Sequence, residues 1–225
     1  MKKKVFYTEL AYCFGLLFLA LGTALMANAD FGVSMVVAPA YILHLKISEY
    51  IPLFSFGMAE YVFQAFLLIV MTAVLRKFKL SYLLSFGTTV VYGLMLDGVM
   101  ALLPADFGPL SLRLIFYSAG FLLCSAGVSL LFHSYVPPEA YELFVKEIAA
   151  KFGLDIHKFK TAYDCASCLL AVFMSFMFFG FGVFRGVQAG TVICAFLNGW
   201  LISRCTKFFE SCFEFKDRFS FGRYF

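Results

Sequence analysis

The sequence predicts an all-α integral membrane protein, with six transmembrane helices arranged as two inverted three-helix repeats. Three observations lead to this prediction: the apolar composition, six long apolar blocks and a one-sided distribution of basic residues. Of the 225 residues, 62% are hydrophobic and 14% are charged, and the mean hydropathy is +0.88. A soluble domain carries roughly 25% charged residues, so the composition argues against that class. The blocks are continuously apolar, whereas barrel strands alternate, so we expect helices.

The apolar blocks lie at roughly 10–28, 57–75, 80–103, 110–132, 162–183 and 187–203. Most approach the ~20 residues that cross a bilayer as a helix. We therefore expect a single membrane domain over 1–225. Repeat one covers about 10–103, repeat two covers about 110–203, and a cytoplasmic tail covers 204–225.

The first block could also be an export signal, because it follows three lysines and ends in Ala27-Asn28-Ala29, a small-x-small cleavage pattern. Its uncharged run of 18 residues, from Leu10 to Ala27, exceeds the usual ~7–15 of a signal core. We therefore expect Asp30 to remain attached to Met1, with cleavage after Ala29 as the alternative.

A short segment lies between the first two spans of each repeat. "SMVVAPAYILHL" at 34–45 is too short to cross the bilayer and has Pro39 in its middle, so it should dip into the membrane or lie on the outer surface. Its counterpart begins at Pro138 and Glu139, a favourable helix start. Apolar residues then share one face, which predicts an amphipathic helix over 138–151 on the cytoplasmic surface.

The basic residues predict the orientation. With the N-terminus inside, fifteen of the 18 fall on one side, in the segments 2–4, 76–79, 146–160 and 204–223. Only Lys46, Arg113 and Arg185 fall on the other side. This positive-inside bias predicts a multi-pass protein of the bacterial inner membrane with both termini cytoplasmic. The net charge of +4 is then a topology signal, and no nucleic-acid partner is expected.

The two halves of the chain match each other at an offset of 105 residues. Tyr12 pairs with Tyr117, and Gly15 and Gly22 pair with Gly120 and Gly127. Chance matching of apolar sequences is the alternative to duplication. Each repeat contains three spans, so the second copy would enter the membrane from the opposite side. Inverted repeats of this kind are common among secondary transporters.

Ionisable residues inside the spans are candidate site residues, because a charge in the membrane is costly. Glu60 and Asp164 lie near the starts of the middle helices, and Asp97 and Asn198 near the ends of the last helices. Helix capping is the alternative for Glu60 and Asp164. Asp97 lies late in its helix, where the dipole disfavours an anion, so we expect it to line a central crevice between the repeats, with a structural role as the alternative.

Other polar and sulfur-containing residues give weaker signals. Asn28, Asp30 and Ser34 flank Gly32, and turn chemistry explains them as well as binding does. Gln64 and Gln188 could be helix-packing residues as readily as site residues. The three histidines have no metal-ligand spacing, and Cys165 and Cys168 are expected to be small buried residues, so neither a metal nor a cofactor is predicted. No motif for catalysis or ATP use was found, so an enzyme is not expected.

Four stretches, "GTALMANADFGVS", "VPPEAY", "HKFKTAYD" and "AGT", give the chain a resemblance to the YitT/YczE-type family of small bacterial integral membrane proteins. The resemblance implies about six helices and a transport or regulatory role. It also implies interest in a set of matching positions: Gly32, Pro138, Glu139, Asp164, Gly190 and Thr191. Two departures are Met35, where proline is expected, and Gln188-Ala189, which replaces a glycine-rich approach.

Two functions remain as expectations. The first is a secondary transporter of a small solute, with or without a coupling cation, that works by alternating access. The second is a non-transporting membrane regulator or assembly partner that uses the amphipathic helix 138–151. The acids in the spans favour the first.

Overall fold

The computed structural model describes residues 4–104 and 107–218, except for the side chain of His157. Predictions that involve Lys2, Lys3, Arg223 and the last part of the tail therefore lie outside the described residues. The described chain begins with strand β1 (Lys4–Tyr7) and ends with strand β2 (Phe213–Lys216). Between them lie eight helices: α1 (Thr8–Ala29), α2 (Ala38–Ile47), α3 (Phe56–Leu75), α4 (Leu80–Leu102), α5 (Leu110–Phe132), α6 (Ala140–Phe152), α7 (Ile156–Phe179) and α8 (Ala189–Cys212).

The protein is a multi-pass, mainly helical membrane protein. Within the described residues, five helices are long and apolar enough to span a bilayer: α1, α3, α4, α5 and the part of α7 from Lys158 to Phe179. Helix α8 is as long as these, but it is less apolar because it carries Asn198, Arg204, Lys207 and Glu210. It also extends beyond the predicted end at residue 203. The two short strands were not predicted.

Helices α1 and α5 run antiparallel, and they pack closely because glycines lie at their contact. A Cβ atom added to Gly22 would lie 2.6 Å from the carbonyl oxygen of Gly120, and one added to Gly127 would lie 2.7 Å from that of Gly15. Small residues allow helix backbones in a membrane to approach in this way. This pair forms the centre of the bundle, with α4 against α1 and α8 against α5.

The two short helices each pack on a longer helix from the other half of the chain. Helix α2 contacts α3 and α7, and α6 contacts α7, α3 and α4. Pro39 lies in the first turn of α2 rather than its middle, where its missing N–H costs nothing. Helix α6 buries Leu143, Val145 and Ile148, so its apolar face is covered by the protein itself.

The two termini meet at one end of the bundle. Strands β1 and β2 pair in parallel, with Lys4 opposite Phe213 and Tyr7 opposite Lys216. The hydroxyl of Thr8 donates to Asp217, and His133 at the end of α5 stacks on Phe215. The start of α1 and the ends of α5 and α8 are therefore joined at the same end.

Candidate functional site

A buried glutamine links two buried carboxyl groups between the halves of the chain. Gln64 on α3 donates from Nε2 to Glu60 Oε2 at 3.0 Å and to Glu139 Oε2 at 3.2 Å. Glu60 lies one turn before Gln64, and Glu139 precedes α6. Glu60 and Gln64 have no exposed surface, and Glu139 is 5% exposed. This site therefore joins the middle helix of one half to the short helix of the other.

The orientation of the Gln64 amide is fixed by two donors. Its Oε1 accepts from the hydroxyl of Thr89 at 2.6 Å and from the backbone N–H of Ala140 at 3.0 Å. Tyr141 donates its hydroxyl to Glu60 Oε2 at 2.8 Å. With the amide oxygen occupied in this way, Gln64 presents only its NH₂ group to the carboxyl groups.

Residues on α4 hold the chain segment that carries Glu139. The hydroxyl of Ser85 donates to the carbonyl of Pro138 at 2.6 Å, and that of Thr88 donates to the carbonyl of Pro137 at 3.0 Å. Two successive prolines favour an extended backbone here. The carbonyl groups of this segment are therefore not used in a helix and can accept from the α4 hydroxyls. The local sequence thus sets the position of Glu139 at the start of α6.

One oxygen of each carboxyl group has no hydrogen-bond partner among the described residues. These atoms are Oε1 of Glu60 and Oε1 of Glu139, and no ion pair within the described chain includes either residue. Burial raises the pKa of Glu139 well above its ordinary value, the nearby Glu60 raises this pKa further, and the bond from Gln64 lowers it. A buried polar atom without a partner is uncommon in proteins and calls for an explanation.

Asp164 belongs to a second, separate charge cluster. Lys160 on α7 lies 2.8 Å from Glu142 Oε1 and 3.7 Å from Asp164 Oδ1. Asp164 was predicted to share a site with Glu60, but it pairs with a lysine one turn earlier on its own helix. The cluster is a neighbour of the carboxyl pair and carries its own cation.

A crevice leads from one end of the bundle to Glu139. Its inner part is lined by Glu139, Glu142, Lys160 and Asn198, together with Thr23 and Cys124. Its outer part lies between α5, α6, α7 and α8, has a volume of about 600 Å³ and is lined by Lys146, Thr206, Lys207 and Glu210, among others. The outer part lies within the ~300–1,000 Å³ that is usual for small-ligand pockets, whereas the inner part, with about 70 Å³, is smaller. Asn198 thus lies beside the crevice, as does Glu139.

The predicted residues Asp30, Gly190 and Thr191 meet at the opposite end of the bundle. Asp30 ends α1 with a left-handed backbone and binds Arg113 at 3.2 Å and the amide of Gln188 at 2.8 Å. The N–H of Gly190 donates to the carbonyl of Phe31 at 3.0 Å.

Gly32 adds a close contact to this junction. It has a φ of +93°, and a Cβ atom there would lie 2.8 Å from the backbone nitrogen of Gln188 and also against the Thr191 hydroxyl. The positive φ and the lack of space both require glycine. These residues join the end of α1 to the starts of α5 and α8, so this end of the bundle is closed.

Asp97 does not lie in either part of the crevice, and the position predicted for it is wrong. Its Oδ2 accepts from the hydroxyl of Ser55 at 2.6 Å, and its Oδ1 accepts from the N–H of Gly57 at 2.7 Å. The N–H groups at a helix start attract an anion, and here they belong to α3 rather than to the helix that carries Asp97. Asp97 therefore fastens the end of α4 to the start of α3.

Sequence reasoning missed Gln64, Thr89 and Tyr141 as parts of the site. Gln64 was left open between a helix-packing and a site role, although its spacing of four residues from Glu60 places both on one face of α3. Nothing in the local sequence indicated that the segment before α6 would pack against that face.

The chain belongs to a family of unknown function (DUF6198), whose profile matches residues 6–207. No curated protein and no solved structure matches it. A function must therefore be argued from the chemistry of the site.

Proposed function

We propose that this protein is a secondary transporter that moves a small solute across the bacterial inner membrane by alternating access. The observation that carries the proposal is the pair Glu60 and Glu139. Both carboxyl groups are buried between the two halves of the chain, beside a crevice, and neither forms an ion pair with a described residue. Ionisable groups at this depth in a membrane protein are costly, and they often mark pathways for ions and substrates.

The paired termini support six membrane spans. Strands that hydrogen-bond to each other lie on the same side of the membrane, so a chain whose first and last described strands pair must cross an even number of times. Five helices meet the length and composition of a span, and α8, with 24 residues, is the sixth. The positive-inside bias then assigns both termini, and the mouth of the crevice, to the cytoplasm.

The contacts of α1 and α5 support inverted repeats. Gly15 approaches Gly127, and Gly22 approaches Gly120, whereas the sequence offset equates Gly15 with Gly120 and Gly22 with Gly127. A two-fold axis between the helices would exchange the two contacts. Because α1 and α5 run antiparallel, such an axis would lie in the membrane plane, as it does in many transporters.

The packing of the other helices follows the same exchange. If α1 to α4 correspond to α5 to α8, then the contact of α2 with α7 corresponds to that of α6 with α3. Each half therefore reaches across to the middle helix of the other. Two halves that are linked by equivalent contacts can rock about a central site, which is the motion that alternating access requires.

A non-transporting regulator or assembly partner is the alternative function. It was based on the amphipathic helix 138–151 and on the resemblance to the YitT/YczE-type family, part of which is considered regulatory. The apolar face of α6 packs on α3, α4 and α7, so a partner protein would meet only its polar face. This observation favours the transporter.

The proposal can be tested by a thermal-shift screen of the purified protein against a metabolite library. A solute that binds only the folded state raises the unfolding temperature by mass action. A stabilising solute should then be taken up by proteoliposomes, and Asn198→Leu, which places an apolar side chain beside the crevice, should lose both effects. Glu147→Gln, at a partly buried carboxylate of α6 that pairs with Lys79 and lines neither part of the crevice, is the control and should keep both. A constant protein partner in pull-downs, with no stabilising solute, would support the regulator instead.

A further inference from the structure

We propose that the coupling ion is a proton, and that Glu60 and Glu139 hold it as a pair in which one carboxyl group is neutral while the other is ionised. The term coupling rests on the proposed function, whereas the protonated pair rests on the geometry of the site. The two groups share the Gln64 amide, are almost completely buried and lie on different halves of the chain.

The hydrogen-bond donors around the pair are too few for two ionised groups. Gln64 and Tyr141 supply three hydrogen bonds, all to the Oε2 atoms, and neither Oε1 atom has a partner within the described chain. An ionised carboxylate can accept about four hydrogen bonds. One added proton removes one of two like charges from a medium of low dielectric and converts one Oε1 atom from an acceptor into a donor.

The groups that face the pair do not supply a positive charge. Most are tyrosines and a thiol, and the one carboxylate, Glu142, is bound to Lys160. The facing groups come from five helices: Tyr12 from α1, Tyr92 from α4, Cys124 from α5, Tyr141 and Glu142 from α6, and Tyr163 from α7. Lys160 lines the same crevice, but it is also paired with Asp164. The charge of the carboxyl pair is therefore left for a mobile ion to neutralise.

A proton fits this site better than a metal cation does. Metal cations bind where several oxygen ligands converge. Within the described residues, no group of three or more His, Cys, Asp or Glu side chains could hold a metal ion. Two other nearby oxygens are committed, because Gln64 Oε1 accepts two hydrogen bonds and the Tyr141 hydroxyl donates to Glu60. Among the described residues that face the site, the two Oε1 atoms and the Tyr163 hydroxyl are left without a hydrogen-bond partner, fewer than the six or more oxygens that Ca²⁺ or Mg²⁺ requires.

Glu139 is the group through which the proton enters and leaves. It lines the crevice, whereas Glu60 has no exposed surface. In the loading step, a hydronium ion in the crevice transfers its proton to a Glu139 carboxylate oxygen, leaving water and a neutral carboxylic acid. The release step returns the proton to water and leaves the carboxylate.

The protonation state of the pair can bias the contact between the two halves. With one proton bound, the Gln64 bridge joins one carboxylate to one neutral acid. After release, two negative charges face each other across the contact of α3 with the start of α6, and their repulsion favours separation. A ligand shifts a conformational equilibrium when it binds one state more tightly than the other, and the proton meets that condition here.

The first test is the pH dependence of thermal unfolding of the full chain in detergent, without added solute. Burial and Glu60 raise the pKa of Glu139 in the folded protein, so the folded protein binds more protons than the unfolded chain. Stability is then greatest below the unfolded pKa and is lost as the pH rises through the folded one. We expect the unfolding temperature to fall as the pH is raised above the ordinary glutamate pKa of ~4.3. The fall should shrink in Glu139→Gln and Glu60→Gln and remain in the control Glu147→Gln.

The second test is infrared spectroscopy, which detects the C=O band of a neutral carboxylic acid directly. The band should be present at neutral pH in the parent protein and in Glu147→Gln, and it should be absent from Glu139→Gln with Glu60→Gln combined. Either single variant serves if the double variant does not fold, since each should alter the band. A missing band in the parent protein would overturn the proposal. It would also be overturned if sodium at constant pH raised the unfolding temperature of the parent protein but not that of either single variant. Neither test requires transport, so a titrating pair without solute uptake would refute the transporter and leave the protonated pair intact.

Discussion

Gly22→Ala should separate α1 from α5 and destabilise the protein, although alanine favours helices. The added Cβ would lie 2.6 Å from the Gly120 carbonyl oxygen and 2.7 Å from the backbone nitrogen of Cys124, whereas ordinary contacts begin at 3.4 Å. Both atoms belong to a backbone, so the helices must move apart by about 0.8 Å. Overpacking of this kind costs about 1–3 kcal/mol or more, against a gain of about 1 kcal/mol from helix propensity. The expected net effect is a loss of up to about 2 kcal/mol.

Gly98→Ala is the matched control for this prediction. Gly98 also lies within a transmembrane helix, but a Cβ atom there would have no neighbour within 4 Å. It should keep the helix-propensity gain and unfold at the parent temperature or slightly above it. At about 2–4 °C per kcal/mol for a chain of this size, the two variants should differ by several degrees in detergent. Equal unfolding temperatures for Gly22→Ala and Gly98→Ala would show that α1 and α5 do not pack as described.

Three further predictions concern the ends of the bundle. Val5 lies opposite Glu214 in the parallel strands. In a background without native cysteines, cysteines at both positions should form a disulfide, and neither single variant should form one. Failure to cross-link would remove the argument for an even number of spans. Arg113→Ala removes the ion pair with Asp30 and should increase labelling of the buried Cys194 by a membrane-impermeant maleimide. Unchanged labelling would mean that Arg113 does not close the end of the bundle at which α1 ends. N-terminal sequencing of the purified protein should start before Asp30, and a sequence that begins there would identify a cleaved signal.

The long helices could be predicted from the sequence because a bilayer requires long apolar runs, and the runs lie where α1, α3, α4 and α5 are found. The ends of the helices were harder to predict, because they depend on local contacts. Helix α8 continues to Cys212, and the strand that follows it pairs with β1, a partner more than 200 residues earlier. The apolar pattern contains no information about that pairing.

The candidate site was only partly predictable, because depth along a helix can be calculated from sequence but neighbours cannot. Glu60 was recognised from its position within a span, and Glu139 only from the family resemblance. Asp97 met the same depth criterion as Glu60, yet Ser55 and Gly57 occupy its oxygens. Gln64 was set aside, although it is the residue that connects the two carboxyl groups. Which acid finds donors and which remains unpartnered is decided by tertiary packing.

The helix pairs that the proposed repeats would make equivalent differ in packing, and the difference fits one state of the proposed alternating cycle. Helices α3 and α4 are close, since a Cβ atom on Gly57 would lie 2.5 Å from the carbonyl oxygen of Gly93, and Asp97 fastens the same junction. Helices α7 and α8 touch at few points, and a Cβ atom on Gly199 would meet nothing within 4 Å. Under the proposed mechanism, the open pair borders the crevice and the closed pair lies opposite. The reverse state would then require α7 and α8 to close while α3 and α4 part, so Asp97 would act as a lock on that exchange rather than as an ion site.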